Sequence, residues 1–321
     1  MPVLGGAAVL AAVVWRLGVG PFVDGLTMVD GSALIAAAGI TLFTTVCSAW
    51  RWCLVARGIG LELRMRAAIA AYYRSQLLNS VLPGAVLGDV ARGVDHGLSS
   101  GEVGRGLRAV AAERVGGHIV QVICALAVLA LVPSPVRSSL PFLAAIAALV
   151  VVGAVIVFCA LPAGGPSIWA RAIRTSATDF RHGLLARGTW PGVVSASCAA
   201  MAGHVAIFLI AAQTAGVTIS PIRMLPLAVL VLLAMSVPMN VAGWGPREGV
   251  AAWAFATAGL GASLGVTVAV VYGVLALVAC LPGAVVLVVG RHRRRIRGVH
   301  PADSKRSLRS TVVNEGTVAR G

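Results

Sequence analysis

The sequence predicts an all-α, polytopic bundle of transmembrane helices, and three observations carry this prediction. Of the 321 residues, 58% are hydrophobic and only 12% are charged, and the mean hydropathy is +0.92. Soluble domains contain roughly 25% charged residues, because they need a polar surface. The apolar residues fall in runs of about 20, the length of a helix that crosses the hydrocarbon core of a bilayer. These features exclude a disordered chain, a nucleic-acid-binding domain and a secreted disulfide scaffold.

Seven apolar runs are candidate spans, and two more stretches bring the expected total to about 7–8 spans. The seven runs are residues 3–19, 32–56, 109–131, 140–161, 193–217, 224–243 and 263–290. The first run has no positive n-region and no small-residue cleavage site, which indicates a retained helix and not a signal peptide. The two further stretches, residues 67–90 and 249–260, are apolar but broken or too short for an ordinary span.

The distribution of basic residues predicts the orientation, because short cytoplasmic loops are enriched in arginine and lysine. Most of the 26 basic residues lie in alternate connections, at residues 51–66, 92–108 and 171–187, and beyond residue 290. The opposite connections hold Arg137 and Arg223. We therefore expect a multi-pass protein of the plasma membrane with both termini in the cytoplasm, provided that the first broken stretch enters and returns on the inner side. The predicted orientation does not account for three arginines: Arg74, Arg114 and Arg247.

The last 31 residues, 291–321, are predicted to be a basic, disordered cytoplasmic tail that follows a transmembrane domain of residues 1–290. Five arginines lie directly after the last span, where a stop-transfer signal is expected. Each basic residue near an anionic membrane surface gains about 1 kcal/mol. We therefore expect membrane lipids with anionic headgroups as partners, and no nucleic acid.

Two helix-breaking segments interrupt the apolar stretches. In lipid every backbone polar group must be satisfied internally, so a break is tolerated only where protein or water covers it. The first contains Pro83 and Gly84 and the second contains Pro238 and Gly243, and an acid and an arginine follow each. Corresponding breaks in two halves of a chain indicate re-entrant segments, an internal inverted repeat and a binding site between the repeats. Simple proline and glycine kinks are the alternative interpretation.

The candidate substrate-binding residues belong to these breaks and to one polar stretch of a neighbouring helix. They are Arg74, Asn79, Pro83, Gly84, Asp89, Arg92, Glu113, Arg114, Pro238, Asn240, Gly243, Gly245, Arg247 and Glu248. Ionisable groups at membrane depth are costly and usually functional. Since Glu113 and Arg114 are adjacent on a helix, each needs a partner on another element, and we expect Glu113 to face Arg74 or Arg247.

Arginine presents a planar fork of donors that suits phosphate, so these residues indicate a lipid phosphate as the ligand. The acids occur singly, and neither a metal signature nor a nucleophile with its base is recognisable in the sequence. We therefore expect no catalytic residue, no metal and no cofactor. A phosphate-binding loop for ATP is also missing from the sequence.

The charged and helix-breaking residues resemble those of the lysylphosphatidylglycerol synthase transmembrane region family, a flippase-like membrane domain. The resemblance rests on ordered motifs within residues 1–290: residues 73–79, 82–84, 88–92, 113–114, 238 and 243–248. Leu87 departs from the family pattern, which often has a glycine before the Gly-Asp pair. The resemblance implies a domain that moves an anionic or aminoacylated phospholipid between leaflets. In bifunctional members a separate soluble domain attaches the amino acid, and we do not expect that activity here.

These observations favour a flippase-like lipid translocase for an anionic or modified phospholipid or a polyprenyl-phosphate lipid. One alternative is a membrane transferase that acts on a lipid phosphate, with Glu113 or Asp89 as its base. Another is a partner subunit of a separate lipid-modifying enzyme. A homo-oligomer is compatible with each of these functions.

Overall fold

A computed structural model describes residues 2–82, 86–133, 184, 186, 188–236 and 244–298. Regular secondary structure in this part of the chain is helical, as the sequence predicts. The helices are α1 (Pro2–Leu17), α2 (Gly20–Thr27), α3 (Gly31–Gly58), α4 (Met65–Val81), α5 (Leu87–Ser99), α6 (Val103–Leu131), α7 (Trp190–Thr214), α8 (Pro221–Met235), α9 (Pro246–Thr257), α10 (Ala262–Ala279) and α11 (Pro282–Gly298). The predicted span at 140–161 and most of the predicted tail lie outside the described residues.

Four helical stretches in the described residues are long and apolar enough to cross a membrane. They are α3, α6, α7 and residues Ala262–Gly290, which comprise α10 and the first half of α11. These stretches correspond to four of the predicted spans. The predicted first span ends at Leu17, and α1 and α2 form a fifth candidate only as a pair bent by 94°. Gly18, with a φ of +75°, lies at this bend and adopts a backbone conformation that favours glycine.

Of the predicted span at residues 224–243, the structure describes the part up to residue 236, and α8 ends at Met235 after 15 residues. A helix of this length rises about 22 Å at 1.5 Å per residue, which is less than the hydrocarbon thickness of about 30 Å. Residues 237–243 lie outside the described residues. The total of seven to eight spans is not reached in the described residues.

The first broken stretch forms two antiparallel helices, α4 and α5, called here the α4–α5 pair. The Asn79 side chain joins them: its Oδ1 accepts from the Gly88 backbone N–H at 2.8 Å and its Nδ2 donates to Asp89 Oδ2 at 2.9 Å. The first of these bonds satisfies one of the backbone donors left free at the start of a helix. Gly88 lies directly against the backbone carbonyl of Ser75, where no Cβ could be accommodated.

The second broken stretch also yields two packed helices, α8 and α9, called the α8–α9 pair. Glu248 closes the start of α9, since its Oε2 accepts from the Gly245 backbone N–H at 2.6 Å. Gly245 has a φ of +128°, which only glycine adopts readily. At the other end of this break, Gln121 of α6 donates from Nε2 to the Leu232 carbonyl in the last turn of α8, at 3.0 Å. Side chains therefore satisfy backbone groups at both ends of this break.

The helices pack through small buried residues around a common core. α3 packs along α7, and α10 packs against α9, α7 and α3. Lipid tails are as apolar as these side chains, so close van der Waals packing stabilises such contacts in a bilayer. The small buried residues include Ala37, Ala211, Ala228, Ala251, Ala254 and Gly265. They lie around large buried side chains such as Phe208, Phe255 and Tyr272.

Replacing Gly88 by alanine should separate α4 from α5, because the new methyl group would overlap the Ser75 carbonyl. We expect Gly88→Ala to lower the free energy of unfolding by about 1–3 kcal/mol, the usual cost of overpacking. The measurement is denaturant unfolding in detergent micelles. Gly39→Ala in α3 is the matched control, since no neighbouring atom lies within 4 Å of its added Cβ. Equal stability of the two variants would contradict the close packing of this pair.

Candidate functional site

Glu113 of α6 lies at the centre of a fully buried hydrogen-bond network. Its Oε1 accepts from Arg51 Nε at 2.8 Å, from Arg51 Nη2 at 2.5 Å and from the Tyr72 hydroxyl at 2.6 Å. Its Oε2 accepts from Arg92 Nη2 at 3.0 Å. One carboxylate thus joins α3, α4, α5 and α6. The remaining terminal nitrogen of Arg51 donates to Ser197 Oγ of α7 at 2.8 Å and extends the network to a fifth helix.

Asp89 of α5 forms a second centre next to Glu113. Its Oδ1 accepts from the Ser75 hydroxyl at 2.9 Å and from Arg92 Nη2 at 3.0 Å. Its Oδ2 accepts from Asn79, as described above, and from Arg114 Nη2 of α6. Arg92 therefore bridges the two carboxylates, and Asp89 positions Arg114.

Arg92 is fully buried between aromatic rings. Its guanidinium carbon lies 3.9 Å from the ring centre of Tyr72 and 4.5 Å from that of Trp52. Cation–π contacts of this kind stabilise a desolvated cation by about 2 kcal/mol. With salt bridges to Asp89 and Glu113, this side chain is enclosed by protein on every side, which identifies it as the internal cation of the network.

Arg247 and Glu248 form the corresponding site at the start of α9. Arg247 donates from Nε at 2.8 Å and from Nη2 at 2.5 Å to Glu248 Oε1. The two residues are adjacent in sequence, and they pair because they lie in the first turn of the helix, where Glu248 folds back toward Gly245. The Arg247 guanidinium lies over Trp244 at 5.2 Å and over Tyr272 at 5.8 Å.

Both sites open on one cavity of about 540 Å³, called here the central cavity. Arg51 and Arg114 line it from one side, and Arg247 lines it from the α9 side. The ends of both broken pairs also contribute to its wall. The lining residues next to the breaks are Asn79 and Ser80 of α4, Ala234 and Met235 of α8, and Trp244 and Pro246.

Two glycines make room for the arginines that line this cavity. A Cβ at Gly117 of α6 would lie 2.7 Å from Arg51 Nη1, and a Cβ at Gly273 of α10 would overlap the Arg247 guanidinium. Both glycines themselves line the cavity. The Arg51 and Arg247 guanidinium groups therefore lie close to a helix backbone, in space that a larger residue than glycine would fill.

The structure brings together some of the predicted site residues and separates others. Asn79, Asp89, Arg92, Glu113 and Arg114 form one network, and Gly245, Arg247 and Glu248 form the second. Arg74 lies apart from both, in a salt bridge to Asp95 with 2.6 Å between Nη2 and Oδ2. Pro83, Gly84, Pro238, Asn240 and Gly243 lie outside the described residues.

The prediction that Glu113 faces Arg74 or Arg247 is wrong, because its partners are Arg51 and Arg92. The reasoning that Glu113 and Arg114 need separate partners is correct, since Arg114 pairs with Asp89. The pattern of basic residues places Arg51 in a cytoplasmic connection, but the structure places it inside α3, seven residues before the end of this helix, where it bonds to Glu113 and Ser197.

Other residues of the site were not predicted. Tyr72, Ser75 and Ser197 are common residues in membrane helices, and no spacing in the sequence connects them with Glu113 or Asp89. The same holds for Gly117 and Gly273, whose role depends on the arginine side chain that lies against them.

An all-helical chain with several apolar spans and buried charge networks between them is a polytopic integral membrane protein. Its residues 3–283 match the lysylphosphatidylglycerol synthase TM region, and the chain belongs to this family. Membership indicates a protein involved in lipid modification or translocation, and no soluble domain is evident within the chain. No curated protein and no solved structure matches it.

Removing the charge of Glu113 should destabilise the fold, because two buried arginines would lose their counter-charge. Breaking a buried ion pair by removing one partner costs about 3–5 kcal/mol. We expect this loss for Glu113→Gln in denaturant unfolding in micelles. Glu102→Gln is the control, since the exposed Glu102–Arg105 pair should contribute about 0–1 kcal/mol. Similar losses for both variants would show that the Glu113 network does not hold the helices together.

Proposed function

We propose that this protein is a flippase-like lipid translocase that binds the phosphate of an anionic lipid headgroup in the central cavity. The supporting observation is that arginines from two separate charge networks line this one cavity. Arg114 and Arg247 are each held by a carboxylate in the first turn of the second helix of a broken pair, Asp89 for Arg114 and Glu248 for Arg247. Each broken pair thus supplies a carboxylate that positions one arginine of the cavity wall.

Arg114 is the group best placed to meet the phosphate. Its side chain is 39% exposed, whereas those of Arg51 and Arg247 are 11% and 6% exposed. A guanidinium binds phosphate through two parallel hydrogen bonds, which add geometric specificity to charge attraction. Arg247 supplies a second positive charge from the opposite side, and Arg51 contributes to the positive potential of the wall.

The broken pairs provide a route for movement between leaflets. In this proposal the α4–α5 pair enters and returns on the cytoplasmic side, and the α8–α9 pair is its counterpart from the other half of the chain. Cavities between repeats of this kind can open to either side of the membrane when one unit rocks against the other. The headgroup would cross in the polar cavity while the acyl chains stay in the bilayer.

The volume of the cavity is consistent with this proposal. Small-ligand pockets occupy about 300–1,000 Å³, so 540 Å³ can hold a headgroup but not a whole lipid. The orientation of both termini toward the cytoplasm and a plasma-membrane location are parts of the same proposal.

Arg114→Gln should slow leaflet exchange in proteoliposomes by about 10- to 100-fold, the loss expected for one charged hydrogen bond of 1.5–3 kcal/mol. The fold should persist, because Asp89 keeps its bonds to Ser75, Asn79 and Arg92. The assay follows fluorescent phosphatidylglycerol that becomes inaccessible to a reductant added outside.

Arg105→Gln is the matched control, since Arg105 lies on the same helix, pairs with exposed Glu102 and does not line the cavity. Arg247→Lys tests the second arginine, because lysine keeps the charge and loses the planar fork. Exchange at the wild-type rate in both Arg114→Gln and Arg247→Lys would refute the proposal.

A further inference from the structure

We infer that the central cavity selects headgroups that carry a net negative charge and no ammonium group. This inference rests on the proposed function and specifies its substrate class. Three features of the cavity wall support it. Its charged side chains are positive, the nearby carboxylates already accept hydrogen bonds from protein groups, and arginines already lie over the aromatic rings.

The charged side chains that line the cavity in the described residues are all arginines: Arg51, Arg114 and Arg247. In the described part of the wall, an ammonium group would therefore meet like charges and no carboxylate.

Three carboxylates pair with the arginines of the cavity wall, and each of them accepts several hydrogen bonds. Asp89 accepts from four side chains, Glu113 accepts four hydrogen bonds from three side chains, and Glu248 accepts from Arg247 and from a backbone N–H. None of the three lines the cavity. To reach one of them, an ammonium group would have to displace an arginine from its counter-charge.

Aromatic faces offer the other common binding site for ammonium groups, and arginines already cover them here. Arg92 lies over Tyr72, and Arg247 lies over Trp244 and Tyr272. All three rings belong to cavity-lining residues. In the described part of the wall, each tyrosine and tryptophan ring thus already has an arginine over it.

The uncharged polar groups of the wall suit hydroxyls instead. Gln76, Ser80 and Gln121 line the cavity with amide and hydroxyl groups. A headgroup made of phosphate and hydroxyls, such as a glycerol or sugar phosphate, would use both the arginines and these groups. Zwitterionic and aminoacylated headgroups carry a charge for which this wall has no partner.

The test compares phosphatidylglycerol with alanyl-phosphatidylglycerol, which differs by an ester that carries one ammonium group. Binding to the purified full chain in detergent is measured by native mass spectrometry, with phosphatidylethanolamine as a second amine lipid. We expect the wild type to prefer phosphatidylglycerol at least tenfold. Soluble glycerol 3-phosphate should not displace the lipid, and displacement at equal concentration would assign the cavity to a free phosphate and overturn the lipid specificity.

Gln76→Glu places a carboxylate on the cavity wall with almost no change of shape, and the Thr45 hydroxyl that bonds to Gln76 Oε1 at 3.3 Å can donate to it. This variant should lower the preference for phosphatidylglycerol about tenfold, whereas Gln213→Glu, the same substitution at an exposed residue that does not line the cavity, should leave it unchanged. Equal binding of phosphatidylglycerol and alanyl-phosphatidylglycerol by the wild type overturns this inference and leaves the translocase proposal intact. Binding of none of the lipids overturns both.

Discussion

Glu113 is a buried carboxylate that holds two arginines from two other helices, Arg51 and Arg92. A charge in an apolar interior is tolerated only when its hydrogen bonds are satisfied, and here hydrogen bonds satisfy both carboxylate oxygens. Because the donors come from α3, α4 and α5 while Glu113 lies on α6, the mutual positions of four helices depend on this one group. Lipid-facing surfaces offer little specificity between apolar helices, so directional bonds of this kind define their arrangement.

The positive charge of the cavity wall depends on this arrangement of helices. Arg92 joins Glu113 to Asp89, and Asp89 in turn holds Arg114 at the cavity wall. The buried carboxylates thus act as positioning groups, and Arg51 and Arg114 line the cavity. At α9 the same division of roles occurs, with Glu248 behind and Arg247 toward the cavity. A positive cavity within an apolar protein is stable because the compensating negative charges lie one layer behind the wall.

The sequence predicted the helical class, both breaks and most of the charged residues, because these depend on local composition. The lengths of the helices and the partners of the charged side chains were harder to predict. Hydropathy predicts a span at 224–243, whereas the described helix α8 ends at Met235, and residues 237–243 lie outside the described residues. The sequence did not reveal Arg51 as a partner of Glu113, because the two residues are 62 positions apart and the pattern of basic residues placed Arg51 in a cytoplasmic connection. Which of several arginines meets a given acid depends on helix packing, and one sequence does not encode that in any local pattern.

The two arginine sites differ in one respect that matters for movement. Arg114 and Asp89 lie on different helices, α6 and α5, so a shift of one helix against the other changes their separation. Arg247 and Glu248 are neighbours in the first turn of α9, so they move as a unit. In the proposed function, a phosphate that binds Arg114 competes with Asp89 of α5 for the same guanidinium, and α4 is attached to Asp89 through Ser75 and Asn79. The proposed ligand binding is therefore linked to the position of the α4–α5 pair, whereas α9 provides a fixed positive charge.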